Sequence, residues 1–205
     1  MNYLSKNKES GFTLVELLIA MTIGLIILAA LSSTFLIQRK TYDVQEQIVE
    51  MVQTARAAMD MITREIRMAG YDPTGAGFDG IIYNADQLQI ETDINGDGNI
   101  LNDDGSYDSN EHIVYKYYDK DSIYPYQTKR KTGNGNFQPF AENIQSFIFD
   151  YLDSSGSATT TTADIRQIRI TITARTSKAD ADYSANNGYR THTLTSFITP
   201  RNLGL

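Results

Sequence analysis

The sequence has no cysteine, two histidines, no excess of positive charge and, before residue 73, no proline. Without cysteine there is no disulfide framework, no thiolate metal ligand and no cysteine nucleophile. His112 and His192 stand in no Ser–Asp pattern and at no zinc-ligand spacing, and no glycine-rich phosphate loop is present. These absences remove the common nucleophilic, zinc and nucleotide-binding designs, and no catalytic site is expected. Lysine plus arginine total 18 against 25 aspartates plus glutamates, and the resulting net charge of -7 repels phosphate backbones, so no nucleic-acid partner is expected. At 205 residues the chain has room for one medium domain, or for a small domain with an appendage.

Charge is also absent from residues 17–37, where only Thr22, Gly24, Ser32, Ser33 and Thr34 interrupt the apolar run. As a helix rising about 1.5 Å per residue this run measures roughly 31 Å, the thickness of a bilayer's hydrocarbon core at about 30 Å. In front of it Lys6 and Lys8 outweigh Glu9, which favours a cytoplasmic short end and an outward-facing remainder. Glu16, at the start of the run, is the informative residue. A cleaved secretory signal places small residues after a shorter apolar stretch and has no use for a carboxylate there. A plain anchor gains nothing from one either. An ionisable group in a membrane segment costs at least about 2.5 kcal/mol and normally marks a function with a partner.

The run Gly11-Phe12-Thr13-Leu14-Val15-Glu16-Leu17-Leu18 resembles the processing site of type IV prepilins and of type II secretion pseudopilins. The resemblance implies cleavage between Gly11 and Phe12 by a membrane prepilin peptidase, followed by methylation of the new Phe12 amine. It also implies that Glu16 of one subunit pairs with the Phe12 ammonium of a neighbour. In a low-dielectric helix bundle such a pair fixes the register in which helices slide past one another.

Apolar periodicity continues beyond the run at Val44, Ile48, Val52, Ala55, Met59, Ile62, Ile66 and Ala69, at spacings of four and three. Gln45, Glu46, Glu50, Gln53, Arg56, Asp60, Arg64 and Arg67 fall between them, giving one apolar and one solvated face, with an end expected near Gly70. A free-standing coiled coil also fits this spacing. The small Ala55 and Ala69 instead suit close packing on a sheet. After Pro73 the pattern changes to short alternating runs separated by Gly, Asn, Asp and Ser, with strands expected over 87–92, 112–118, 144–151, 167–173 and 193–199. Each has one apolar side, so one sheet face is expected under the helix stripe. Residues 153–164 and 178–188 read as exposed connections.

The segment Arg64-Glu65-Ile66-Arg67-Met68-Ala69-Gly70-Tyr71-Asp72-Pro73, the stretch 134–143 and the closing Pro200-Arg201-Asn202-Leu203 resemble PilW-type minor pilins. The first of these also resembles J-type pseudopilins, less closely. The expected fold class is therefore α+β: a long N-terminal α-helix, membrane-spanning in its first half and amphipathic in its second, packed on an antiparallel β-sheet head, the type IV pilin fold. The expected division is a cytoplasmic leader over 1–11, a helix over 12–70 with 17–37 in membrane or filament core, and a β-rich head over 71–205.

One constellation in the head carries metal chemistry. Asp93, Asn95 and Asp97 occupy positions 1, 3 and 5 of an EF-hand-like loop, Gly98 the turn at 6 and Asn99 the carbonyl at 7, with Ile100 at the apolar position 8. Such all-oxygen ligation suits structural Ca2+. Asp104 stands at position 12, where a bidentate glutamate is usual, so Asp104, Asp103 or Asp108 is expected to complete the set. The competing reading is a solvated Asn/Asp/Gly turn. Lys129-Arg130-Lys131 reads as a solvated turn, and the tyrosines of 115–126 as sheet packing.

The resemblance implies a minor pilin of a type IV pilus: inserted as a single-pass protein in the bacterial inner membrane with its head in the periplasm, then carried into a pilus at the cell surface. Its implied partners are the prepilin peptidase, other major and minor pilin subunits, and the inner membrane before assembly. Two alternatives stay open. One is a minor pseudopilin of a type II secretion system; the other is a membrane-anchored, calcium-dependent binding module that never polymerises.

Overall fold

The computed structural model describes residues 11–119 and 122–203; the charged leader residues Lys6, Lys8 and Glu9 lie outside the described residues. Helix α1 runs Leu14–Met68, and the chain divides into two units, Met1–Gln45 and Glu46–Leu205. Over residues 17–37 of the first unit α1 is apolar on every side, and Leu18, Ile19, Leu25, Leu28, Leu31 and Phe35 are all exposed. Three of its hydroxyl residues are satisfied within the helix, because Thr22, Thr34 and Thr41 each donate to the carbonyl four residues back.

In the second unit α1 is amphipathic. Met51, Ala55, Ala58, Ile62 and Ile66 are buried at helical spacing, each large aliphatic contributing about 1.5–3 kcal/mol by leaving water. The helix stops where the chain must turn sharply. Gly70 has φ +70°, its N–H donates to Glu91 O at 2.9 Å, and Tyr71 N–H closes back onto Met68 O. Gly80 lies against this turn so closely that a Cβ there would stand 2.2 Å from the Gly70 nitrogen.

Among the described residues eight strands follow, forming two antiparallel sheets rather than the single sheet expected. The first has the order β1 (Ile81–Ile82), β2 (Gln87–Glu91), β3 (His112–Tyr118), β4 (Gln127–Thr132), β5 (Gln138–Ala141). The second has the order β6 (Ile144–Leu152), β7 (Gln167–Arg175), β8 (Thr191–Ile198). The break has a local cause. Asn143, at φ +56°, turns the chain after β5, so β6 leaves the first sheet with Ile144 N–H bonded to Tyr126 O and pairs with β7 instead. One apolar cluster joins the helix stripe to Leu88, Ile90, Ile113 and Tyr115 of the first sheet and to Ile144, Phe147, Ile168, Ile170 and Ile172 of the second. The α+β class with a helix packed on antiparallel sheet is what the structure shows, and the free-standing coiled coil is excluded by the burial of Ala55, Ile62 and Ile66.

The basic run Lys129-Arg130-Lys131 is not a solvated turn. It lies in β4, where Arg130 is registered opposite Tyr115 and faces α1. The Arg130 guanidinium donates to Glu65 Oε1 at 2.8 Å through Nη2 and 3.1 Å through Nε, and Tyr115 Oη donates to Glu65 Oε2. On the other face the Lys129 ammonium sits 3.2 Å from the Tyr124 ring centroid.

Candidate functional site

Two places hold the residues singled out by the sequence. The first is the start of α1. Thr13 precedes the helix, and Glu16 reaches back so that its Oε2 accepts from Thr13 N–H at 2.9 Å and from Thr13 Oγ1 at 2.8 Å. Thr13 Oγ1 in turn accepts from Glu16 N–H at 3.3 Å. This reciprocal arrangement is a capping box, and it gives Glu16 a helix-starting role within its own chain. Gly11 and Phe12 lie just outside the helix, with Phe12 90% exposed. A cut between them would therefore remove no helical turn.

The second place is the loop joining β2 to β3. Asp93 is fully buried, and its two carboxylate oxygens accept from Gly96 N–H at 2.7 Å and Gly98 N–H at 3.0 Å. Asn95 Oδ1 accepts from Asp97 N–H, and Asp97 Oδ1 from Asn99 N–H, both at 2.8 Å. Asp93 N–H donates to Tyr71 O at 2.8 Å, which fastens the loop to the segment after α1. In that segment Asp72 accepts from the N–H groups of Thr74, Gly75 and Gly77, and the Gly77 bond above all holds its carboxyl at about 2.

The expected position-12 residue is elsewhere. Asp104 is exposed at the tip of the loop, where it accepts from Ser106 N–H at 2.9 Å and Ser106 holds its pKa below the ordinary value. Glu111, which the sequence reading missed, joins Asp93 and Asp97 instead: each of the three places a carboxylate oxygen within 4.8 Å of the other two. Asp108 touches the group through Asn95, whose Nδ2 donates to Asp108 Oδ2 at 3.1 Å. The reason lies in the flanks. An EF-hand loop leads into a helix that brings its twelfth residue around, whereas this loop leads into β3, and the pairing of β2 with β3 returns Glu111 to the loop's base through Thr92 N–H to Glu111 O at 2.9 Å. The available signal was positional: Glu111 is the acidic residue immediately before the alternating pattern of 112–118.

His112 carries no catalytic arrangement. It stacks on Tyr107 at 3.8 Å with 13° between the rings, and burial, helped by the Lys131 charge, lowers its pKa to about 4.

Residues 6–32 match the prokaryotic N-terminal methylation motif, and residues 44–194 match the family model for prepilin peptidase-dependent protein B. The chain belongs to the prepilin peptidase-dependent protein B family. This family member is thus a type IV pilin-like, prepilin peptidase-dependent protein, with the methylation motif overlapping the apolar start of α1. A solved type IV-like pilin from Thermus thermophilus is similar at a TM-score of 0.44 and 12% identity, over 75% of this chain and 98% of that one. No curated protein matches the chain.

Proposed function

We infer that this family member is a minor pilin of the PilW type, a structural and assembly subunit of a type IV pilus. The observation that carries the reading is the Gly11-Phe12 junction and Glu16 set immediately before a helix whose apolar residues stand exposed on all sides. Such a surface requires lipid before assembly and the helices of neighbouring subunits afterwards. Prepilin peptidase cuts after Gly11, and the methylated Phe12 ammonium of one subunit meets Glu16 of the next. Glu16 exchanges its bonds to Thr13 for that pair, so a carboxylate held by neutral donors within one chain becomes half of an ion pair between two. The large acidic head suits a low-copy subunit that primes assembly or sits at the tip.

The test is filament entry in the native cell. Glu16→Ala leaves insertion and cutting intact but lowers incorporation roughly tenfold or more, since an uncompensated buried ammonium costs about 3–5 kcal/mol. Thr13→Ala, which removes the cap and costs the helix about 1 kcal/mol, leaves incorporation near normal. Equal loss in both variants would reduce Glu16 to a capping residue. Normal filament entry by Glu16→Ala would contradict the pairing. Isolation of the native assembly separates pilus from pseudopilus: an exported filament supports this reading, and secretion-specific subunits support a pseudopilin.

A further inference from the structure

The loop between β2 and β3 holds a buried carboxylate oxygen with nothing to bond. Glu111 is 1% exposed, and its Oε1 accepts from the N–H groups of Ile94 and Asn95, both at 2.9 Å. Those two bonds fix the carboxylate against the loop. Its Oε2 is buried and has no hydrogen-bond partner. A carboxylate stripped of water in this way needs a compensating donor or cation. The structure supplies more negative charge instead, because Asp93 and Asp97 each place a carboxylate oxygen within 4.8 Å of a carboxylate oxygen of Glu111. Among the described residues, the ion pairs of lysine and arginine involve none of these three carboxylates.

We propose that Asp93, Asp97 and Glu111 hold a calcium ion, with the Asn95 side-chain oxygen as a further ligand. All the offered atoms are oxygen, the donor type of hard cations, and calcium accepts the irregular six-to-eight-fold shells that a loop provides. The Asp93 and Asp97 oxygens that accept backbone N–H groups each keep a second lone pair for the ion. Asn95 Oδ1, which accepts from Asp97 N–H at 2.8 Å, likewise keeps a second lone pair for the ion. Asp93 follows β2 and Glu111 precedes β3, so the ion closes the whole excursion at its base. It also braces the segment after α1 through the Asp93 N–H bond to Tyr71 O. In a chain without cysteine this is a cross-link between distant residues made by a metal. The site does not depend on the assembly reading, and either could fail alone.

The experiment uses the full chain in detergent, stripped with EDTA and titrated with calcium chloride by calorimetry, with thermal melts alongside. Expected is one calcium per chain, a dissociation constant of about 0.1–1 mM and a melting temperature that rises with calcium. Glu111→Gln keeps the Oε1 acceptor, so in EDTA it melts no lower than the parent, while its calcium-dependent rise is lost and its affinity falls by roughly tenfold or more. Asp104→Asn binds as the parent does. Absence of binding by the parent, parent-like binding by Glu111→Gln, or loss of binding in Asp104→Asn would each overturn the assignment. Should Glu111→Gln fail to fold, Asp97→Asn, at an exposed position, gives the same reading: lost binding supports the site, and retained binding overturns it.

Discussion

The two stretches of α1 obey different rules. In the first unit, apolar residues surround the helix and stand exposed: Leu25, Leu28, Leu31 and Phe35 are each 60% exposed or more. In the second, the apolar residues form a stripe, and Ala55, Ile62 and Ile66 have no exposed surface. A stripe calls for one packed layer, which the chain's own sheets provide; an all-round apolar surface calls for surroundings that a single chain does not contain. The pattern of hydrophobicity therefore states both that each stretch is helical and where its partner is to be found. Folding of the head belongs to the second stretch, and the proposed membrane residence and assembly rest on the first.

The comparison is open to attack from the packed side first. Glu65→Ala strands the Arg130 guanidinium and the Tyr115 hydroxyl inside the head, and about 3–5 kcal/mol of head stability is lost in denaturant unfolding. A loss below about 1 kcal/mol would show that the helix stripe needs no polar latch. Ile62→Ala opens a cavity between helix and sheets at a cost of about 2–5 kcal/mol, read in the same experiment. Tyr151→Phe removes the hydroxyl that donates to Gln87 O at 3.0 Å and Asn84 O at 3.2 Å, which costs about 1–2 kcal/mol. Leu28→Ala, at the other extreme, changes head unfolding by less than about 0.5 kcal/mol although it removes as many carbons as a core truncation. An Ile62-sized effect at Leu28 would erase the distinction between the stretches.

Much of this architecture was legible because it follows from periodicity. The helix stripe and five strands show a repeat that elementary geometry converts into faces. The strands that escaped are those whose stability comes from partners distant in sequence. β4, Gln127–Thr132, is a polar and basic hexapeptide by composition; it becomes a strand because Arg130 has Glu65 to meet across the core and Lys129 has the Tyr124 ring on the outer face. β1 and β5 are too short to show alternation, and the split into two sheets rests on the backbone turn at Asn143. The acidic loop divides in the same way. Asp93, Asn95 and Asp97 are legible as a local motif, whereas Glu111 joins them through strand pairing, which linear spacing does not reveal.

The central claim is that this chain works as a processed subunit whose amino terminus begins at Phe12, four residues before Glu16. Mass spectrometry of the amino-terminal peptide of the protein taken from its native assembly tests it most directly. The account predicts an N-methylated peptide starting at Phe12, while a peptide retaining Met1 in finished assemblies would contradict it.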